Sequence, residues 1–247
     1  MKTQTRDLIN INPRFPGAPC PQELCKNVIT ELNMKDFVVC YGMTETSPVT
    51  FQGFCSDDMS LKTSTVGFPS NHQEMAVMDG EGRIVEAGVE GELVTRGYST
   101  MLGYWGDEER TREVITPDRW FHTGDTAVIQ ENGYGRIVGR MKDMIIRGGE
   151  NIYPREIEEF LHTHPAIREA QAFGVSDMRL GEELCAWIKL NEGEGLEEAE
   201  LRQFCRGKIS HFKIPRYIEF VDEFPTTITG KIQKFAMREI VEKKLKS

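Results

Sequence analysis

An aspartate closing a polar turn behind an aromatic pair, as in Trp120-Phe121-His122-Thr123-Gly124-Asp125, can accept hydrogen bonds from both hydroxyls of a vicinal diol such as a ribose. Aspartates also cap turns, so this segment alone leaves both roles open for Asp125. Tyr41-Gly42-Met43-Thr44-Glu45 offers a glycine turn that directs backbone and short polar groups at a ligand, with a carboxylate able to hold a magnesium ion. An ordinary strand-to-loop turn would look the same. In Pro225-Thr226-Thr227-Ile228-Thr229-Gly230-Lys231-Ile232-Gln233-Lys234 a lysine follows a glycine, but Pro225 and Ile232 stand where a phosphate-cradling P-loop needs glycine and a hydroxyl. What remains is Lys231 displayed on a hairpin turn, either solvated or reactive. The stretch from Gly139 to Pro154 is the most specific of the four. It pairs the charged Lys142-Asp143 with the double glycine Gly148-Gly149, a composition that suits a hinge followed by a close approach of backbone to a narrow ligand, or a plain linker and turn.

The elements that must hold these residues can be read from periodicity. Leu24, Val28, Ile29 and Leu32 fall at helical spacing, which predicts a helix over Pro21–Leu32. Phe37-Val38-Val39-Cys40 predicts a buried strand that delivers Tyr41 and Gly42. From Gly67 to Arg140, short β-rich runs are punctuated by Asp79-Gly80, Glu81-Gly82, Gly88, Gly91 and Asn132-Gly133, the pattern of hairpins in a small barrel or sandwich. Beyond Arg140 strands are expected at 144–146, 170–175, 184–190 and 217–221, and helices from Pro154, over 197–208 and over 236–245. Alternation on this scale makes a separate α+β domain.

Composition narrows the partners. The 247 residues are 39% apolar, enough for one large or two modest cores. Lys plus Arg number 30 against 39 for Asp plus Glu, a net charge of -9 that argues against a nucleic-acid partner. No apolar run has the length of a transmembrane span, and Met1 to Asp7 carries no signal-peptide pattern. The six cysteines form no C-x-x-C pair and lie in segments that read as core, so buried reduced thiols are expected. His162 and His164 precede Pro165 without further ligands at zinc-like spacing, and a solvated helix end is the reading.

In their order, the four segments resemble the adenylate-forming (AMP-binding) ligases, a superfamily that includes acyl-CoA synthetases, firefly luciferase, aryl-CoA ligases and the adenylation domains of peptide synthetases. The resemblance runs from Gly17 to Lys244. Tyr-Gly-Met-Thr-Glu-Thr-Ser-Pro-Val-Thr (41–50), Met-Leu-Gly-Tyr-Trp-Gly (101–106) and Ser-His-Phe-Lys-Ile-Pro (210–215) are most similar to medium-chain fatty acyl-CoA synthetases of the mitochondrial type. The resemblance implies a fold of mixed α/β and α+β class: the tail of a large AMP-binding domain over 1–141 with a β-rich subdomain at 67–140, a hinge at 142–143, and a complete small mobile domain over 144–247. It implies ATP, Mg2+ and coenzyme A as cofactor and co-substrates, a fatty acid as substrate, and a mitochondrial location, with the cytoplasm as the alternative.

By position, Gly17, Ala18 and Pro19 would flank the adenine, Tyr41 and Gly42 would face the adenylate, and Thr44 the α-phosphate. Glu45 would hold the magnesium, while Asp125, helped by Arg140, would hold the ribose hydroxyls. Lys231 would bridge the attacking carboxylate and the α-phosphate, and rotation about Lys142-Asp143 would replace it with Gly148, Gly149, Glu150 and Asn151 beside the pantetheine arm. Arg179, Arg206, Lys213 and Arg216 are the basic residues available for the coenzyme A phosphates. The family's Gly/Ser/Thr-rich loop for the outer ATP phosphates is absent, as is most of the fatty-acid tunnel. The polypeptide as given is therefore expected to be a fragment, inactive alone. The alternatives are a short non-catalytic module that binds nucleotide, coenzyme A or a partner, and another adenylate-forming enzyme such as an aryl-CoA ligase.

Overall fold

A computed structural model describes residues 14–15, 28–31, 34, 36–228 and 230–246. The chain divides into two units, residues 1–138 and 139–247, so the change falls three residues before the boundary expected at 141–142. The predicted helix over Pro21–Leu32 lies mostly outside the described residues; 28–31, which lie inside, are helical, with Val28 buried.

The first unit contains two sheets. In one, β1 (Arg14–Phe15) runs parallel to β2 (Val38–Tyr41), and β3 (Phe51–Gln52) and β4 (Phe68–Pro69) continue antiparallel. A short helix, α1 (Met59–Ser64), is capped by the Asp58 carboxylate, which accepts the Leu61 N–H. The other sheet is an antiparallel meander of β5 (Gln73–Met78), β6 (Glu90–Gly97), β7 (Phe121–Ile129) and β8 (Gly135–Arg140), the last of which runs two residues past the division at 138/139. It is one open sheet, in place of the barrel or sandwich that its turn spacing suggested. A helix, α2 (Glu108–Val114), interrupts it between β6 and β7; Asp107 caps the Arg110 N–H, and Glu108 and Glu109 sit in the first turn, where they favour the helix dipole. The two sheets share a core of Phe37, Val39, Phe51, Val66, Leu93 and Ala127. Val39 and Leu93 each present one face of an alternating strand to it, which is why the apolar residues of β2 are continuous where both faces are covered.

The second unit is a five-stranded sheet with helices on both faces. β9 (Ile145–Arg147) pairs with β10 (Glu150–Ile152), and the long hairpin of β11 (Ile167–Asp177) and β12 (Gly181–Leu190) forms its centre. β13 (Tyr217–Phe220) runs parallel to β12. Period-two geometry divides β12: Leu184, Ala186 and Ile188 pack on Ile157 and Leu161 of α3 (Pro154–Leu161) and on Leu201 and Cys205 of α4 (Glu198–Cys205). Cys185 and Trp187 point the other way, onto Met237 and Val241 of α5 (Lys234–Lys246). Pro154 sits in the first turn of α3, where its missing N–H costs no hydrogen bond.

Two expectations about single residues change. Cys40, Cys185 and Cys205 are buried free thiols, and burial pushes Cys185 up to about 12; but Cys55 is exposed, because it lies in the turn before Asp58 rather than in a strand. Cys20 and Cys25 lie outside the described residues. His162 and His164 are less solvated than expected: both are partly buried, burial lowers the His162 pKa, and the His164 ring stands edge-on to Phe204 at 4.7 Å.

Candidate functional site

In the first unit, β2 ends at Tyr41, and the chain must turn at once to return as β3. The Tyr41 carbonyl accepts the Thr50 N–H at 2.9 Å, which closes the loop tightly. A Cβ on Gly42 would stand 1.8 Å from the Pro48 carbonyl oxygen, so only glycine fits. Within this loop, Thr44–Thr46 forms a 3-10 turn fixed by mutual hydrogen bonds between Met43 and Thr46. Thr44 is exposed and Glu45 half-buried. The Glu45 carboxylate accepts the Tyr104 phenol at 3.0 Å, and its backbone carbonyl accepts the Met101 N–H at 2.8 Å, so the 101–104 loop is pinned to this turn. Arg110 stacks over the Tyr104 ring at 4.5 Å, and burial, then the bond to Glu45, raise the Tyr104 pKa and keep it a donor.

Asp125 reaches the same neighbourhood from β7. Its Oδ2 accepts the Tyr41 phenol at 2.6 Å, and the residue is 6% exposed. The register of β6 on β7 explains how it is aimed: Glu92 faces Thr126 while Val94 faces His122, so the partner strand carries two extra residues between these pairs. The bulge opens β7 at Thr123-Gly124-Asp125, with Gly124 at a φ of 70°. Thr123 donates its hydroxyl to the Leu93 carbonyl at 2.7 Å, and the Asp125 N–H donates to Thr123 Oγ1 at 3.1 Å. Gly124 donates its N–H to Glu92 Oε1 at 3.1 Å, while Glu92 Oε2 meets His122 Nδ1 at 2.7 Å.

One carboxylate suits magnesium better than it suits a protein-caged metal, since that ion keeps waters and phosphate oxygens as ligands. No group of three or more His, Cys, Asp or Glu that could hold a metal occurs among the described residues, so Glu45 fits the magnesium role only as a single protein ligand.

In the second unit, Met141–Asp143 is a 3-10 turn with Lys142 exposed and Asp143 half-buried, leading into β9. Arg147 pairs with Glu150 in register, so Gly148 and Gly149 are the two central residues of the hairpin. Their φ values of 60° and 90° are those a two-residue type I′ turn demands, and this is a reason for the double glycine besides ligand approach. A Cβ on Gly149 would meet nothing within 4 Å, so the constraint there is torsional. Glu150 and Asn151 are exposed on β10. The Gly148 N–H donates to the Leu180 carbonyl at 2.8 Å, which sets this hairpin beside the 177–181 turn that carries Arg179. Arg179 and Arg216 both lie within electrostatic reach of Asp177, whose pKa is lowered first by the Leu180 and Arg179 N–H groups.

The four basic candidates therefore separate. Lys213 is held by both oxygens of Glu156, at 2.6 and 2.7 Å, the most firmly paired of the four. Arg206 leans on Gln203 at 3.2 Å, at the end of α4. Lys231 is exposed on a loop closed by Thr227 N–H to Lys231 carbonyl (2.8 Å) and Gly230 N–H to Thr227 carbonyl (2.9 Å). Three residues on, Lys234 spends its charge on Glu158 at 2.6 Å. The same segment thus holds one tied lysine and one displayed lysine. Arg140 is exposed at the start of the second unit, and Gly17, Ala18 and Pro19 lie outside the described residues. Glu92, His122 and Tyr104 are absent from the sequence-based site. The aromatic at 104 stood inside the noted 101–106 segment, whereas Glu92 is joined to the Asp125 turn only by strand register.

The first unit thus sets a buried carboxylate beside a tight glycine turn, and the second displays a lysine on a loop that follows a glycine; solved adenylate-forming enzymes share this fold. The ATP-bound MatB from Rhodopseudomonas palustris superposes with a TM-score of 0.87 at 30% identity, over 93% of this chain and 45% of that one. The chain belongs to the AMP-binding enzyme family: the model of the AMP-binding enzyme matches residues 6–105, and that of the AMP-binding enzyme C-terminal domain matches 156–231. It is 54% identical to the mitochondrial medium-chain acyl-CoA ligase ACSF2 of Bos taurus over 93% of its own length and 37% of that protein's. It is 50% identical to the putative acyl-CoA synthetase YngI of Bacillus subtilis, over 90% of this chain and 41% of the relative. The chain thus spans about two-fifths or less of the length of these two relatives.

Proposed function

We propose that this chain is the C-terminal part of a fatty acid–CoA ligase that acts in mitochondria on medium-chain acids. In the first step a carboxylate oxygen attacks the α-phosphorus of ATP, and the bond to pyrophosphate breaks. In the second the coenzyme A thiol, losing its proton, attacks the acyl carbon and AMP leaves. The observation that carries this reading is the Tyr41–Asp125 contact at 2.6 Å beside the Gly42 turn, which presents a buried carboxylate where a nucleotide sugar would lie.

Asp125 accepts the ribose hydroxyls, and Tyr41 orients it while offering its ring to the adenine. Thr44 binds the α-phosphate. Glu45, oriented by Tyr104, is the protein ligand of magnesium, which when bound supplies positive charge to the phosphates. Lys231 stabilises the charge that accumulates between carboxylate and α-phosphate, a fixed-cation effect of roughly a hundredfold or more. It is supported by its display on a closed loop with no ion pair among the described residues, in contrast to Lys234. Rotation about Lys142-Asp143 exchanges Lys231 for the Gly148-Gly149 turn, which flanks the pantetheine arm, and Arg179 with Arg216 receives the coenzyme A phosphates. Lys213, tied to Glu156, is omitted from that set.

Calorimetry on this chain with a non-hydrolysable acyl-adenylate mimic, with and without coenzyme A, tests the reading. Saturable binding of the mimic, abolished by Asp125→Ala, is expected. Absence of binding, or binding indifferent to Asp125→Ala, counts against it.

A further inference from the structure

The Glu92 carboxylate is 18% exposed, and both of its oxygens are in use, yet neither touches a group assigned to the nucleotide. It faces the bulge from the neighbouring strand, with Oε1 on the Gly124 N–H at 3.1 Å and Oε2 on His122 Nδ1 at 2.7 Å. These two contacts bracket Thr123 and lie immediately before Asp125. Inserting residues in one strand of a pair leaves backbone groups without ladder partners. Here the Gly124 N–H would be such a group, and Glu92 supplies its acceptor. Gly124 holds a φ of 70°, a conformation with alternatives close in energy for glycine, so something outside the strand must select it. The His122 ring, 27% exposed, ties the other oxygen and fixes the rotamer of Glu92.

We infer that Glu92 is a positioning residue, which clamps the Gly124 backbone and the His122 ring so that Asp125 is aimed at the ribose hydroxyls. The inference rests on the ribose role proposed for Asp125. Its effect is specific: loss of the clamp lets the Thr123-Gly124-Asp125 bulge relax, and what suffers is the part of nucleotide affinity that comes from the two hydroxyls.

The test compares AMP with 2′,3′-dideoxy-AMP by calorimetry on this chain. The wild-type chain should bind AMP about tenfold or more tighter, since the dideoxy compound lacks the two hydroxyls that donate to the charged Asp125 carboxylate. Glu92→Ala should bring that ratio down to about two, with dideoxy-AMP affinity little changed, and Glu92→Gln should restore most of it because a carboxamide oxygen still accepts the Gly124 N–H. If Glu92→Ala does not fold, His122→Ala takes its place; it frees one oxygen of the clamp and should lower the ratio partway. A wild-type chain that does not distinguish the two nucleotides overturns the ribose reading itself. A wild-type chain that does distinguish them, with variants that keep the ratio or weaken both ligands equally, overturns the role of Glu92 alone.

Discussion

The two units use their charged side chains differently. In the first, the acidic groups assigned to the ligand are each held by a phenol: Tyr41 on Asp125 and Tyr104 on Glu45. In the second, the paired charges hold the fold, as in Arg147–Glu183, Lys234–Glu158 and Lys213–Glu156, while the groups assigned to chemistry stand on turns with little to hold them. Fixed acceptors on one unit and displayed groups on the other are what the two-step reaction proposed above would require. Preorganised polar groups need no rearrangement when charge develops, and turn-borne groups can be exchanged.

The sharpest way to break this contrast is at Glu183, which is 2% exposed and binds Arg147 through both oxygens at 2.7 and 2.9 Å. Glu183→Ala leaves a guanidinium without its partner, and a loss of about 3–5 kcal/mol is expected in the urea-unfolding free energy of the second unit. A loss under about 1 kcal/mol would show that the pair does not serve the fold. Next comes Gly149→Val. A β-branched residue at a φ of 90° costs about 1–3 kcal/mol of turn strain, and in this chain joined to the upstream segment of a relative it should slow thioester formation more than ATP–pyrophosphate exchange. The reverse ranking would detach the turn from the second step.

Tyr41→Phe removes one donor from Asp125 and should weaken adenylate-mimic binding by about 1 kcal/mol in calorimetry, with the fold intact by circular dichroism. The smallest effect is at Glu242, whose pKa is lowered to about 2, first by the Ser176 hydroxyl, then by the Ser176 N–H and Arg238. Its folded pKa lies below the unfolded value near 4.5, so its stabilisation is full above pH 4.5 and vanishes as pH falls through 2. Urea midpoints of the second unit measured from pH 6 to 2 should therefore fall less steeply for Glu242→Gln than for wild type.

Much of the scaffold could be read in the sequence because burial on both faces leaves a mark. Val38-Val39-Cys40 and Leu184 to Ile188 are apolar without interruption, since each strand is covered on two sides. Pro154 announced α3. The strand Glu150–Ile152 left no such mark: two of its three residues are polar and exposed, and it exists because the type I′ turn returns the chain beside β9. The helix Glu108–Val114 has a readable start, Asp107 followed by two glutamates, but it is short and lies among hairpin signals.

At the site, residue types were legible and their partners were not. Glu92 meets the Gly124 N–H across 32 positions, and Lys213 meets Glu156 across 57, contacts that depend on strand register and helix placement. The partial burial of His164 has the same origin, since Phe204 arrives from a different helix.

The division of labour itself is tested most directly by Lys231→Ala in this chain joined to the upstream segment of a relative, with the two half-reactions assayed separately. The account predicts ATP–pyrophosphate exchange reduced about a hundredfold or more, roughly 3 kcal/mol, with thioester formation from supplied acyl-adenylate largely retained. Equal damage to both half-reactions, or to neither, would contradict it.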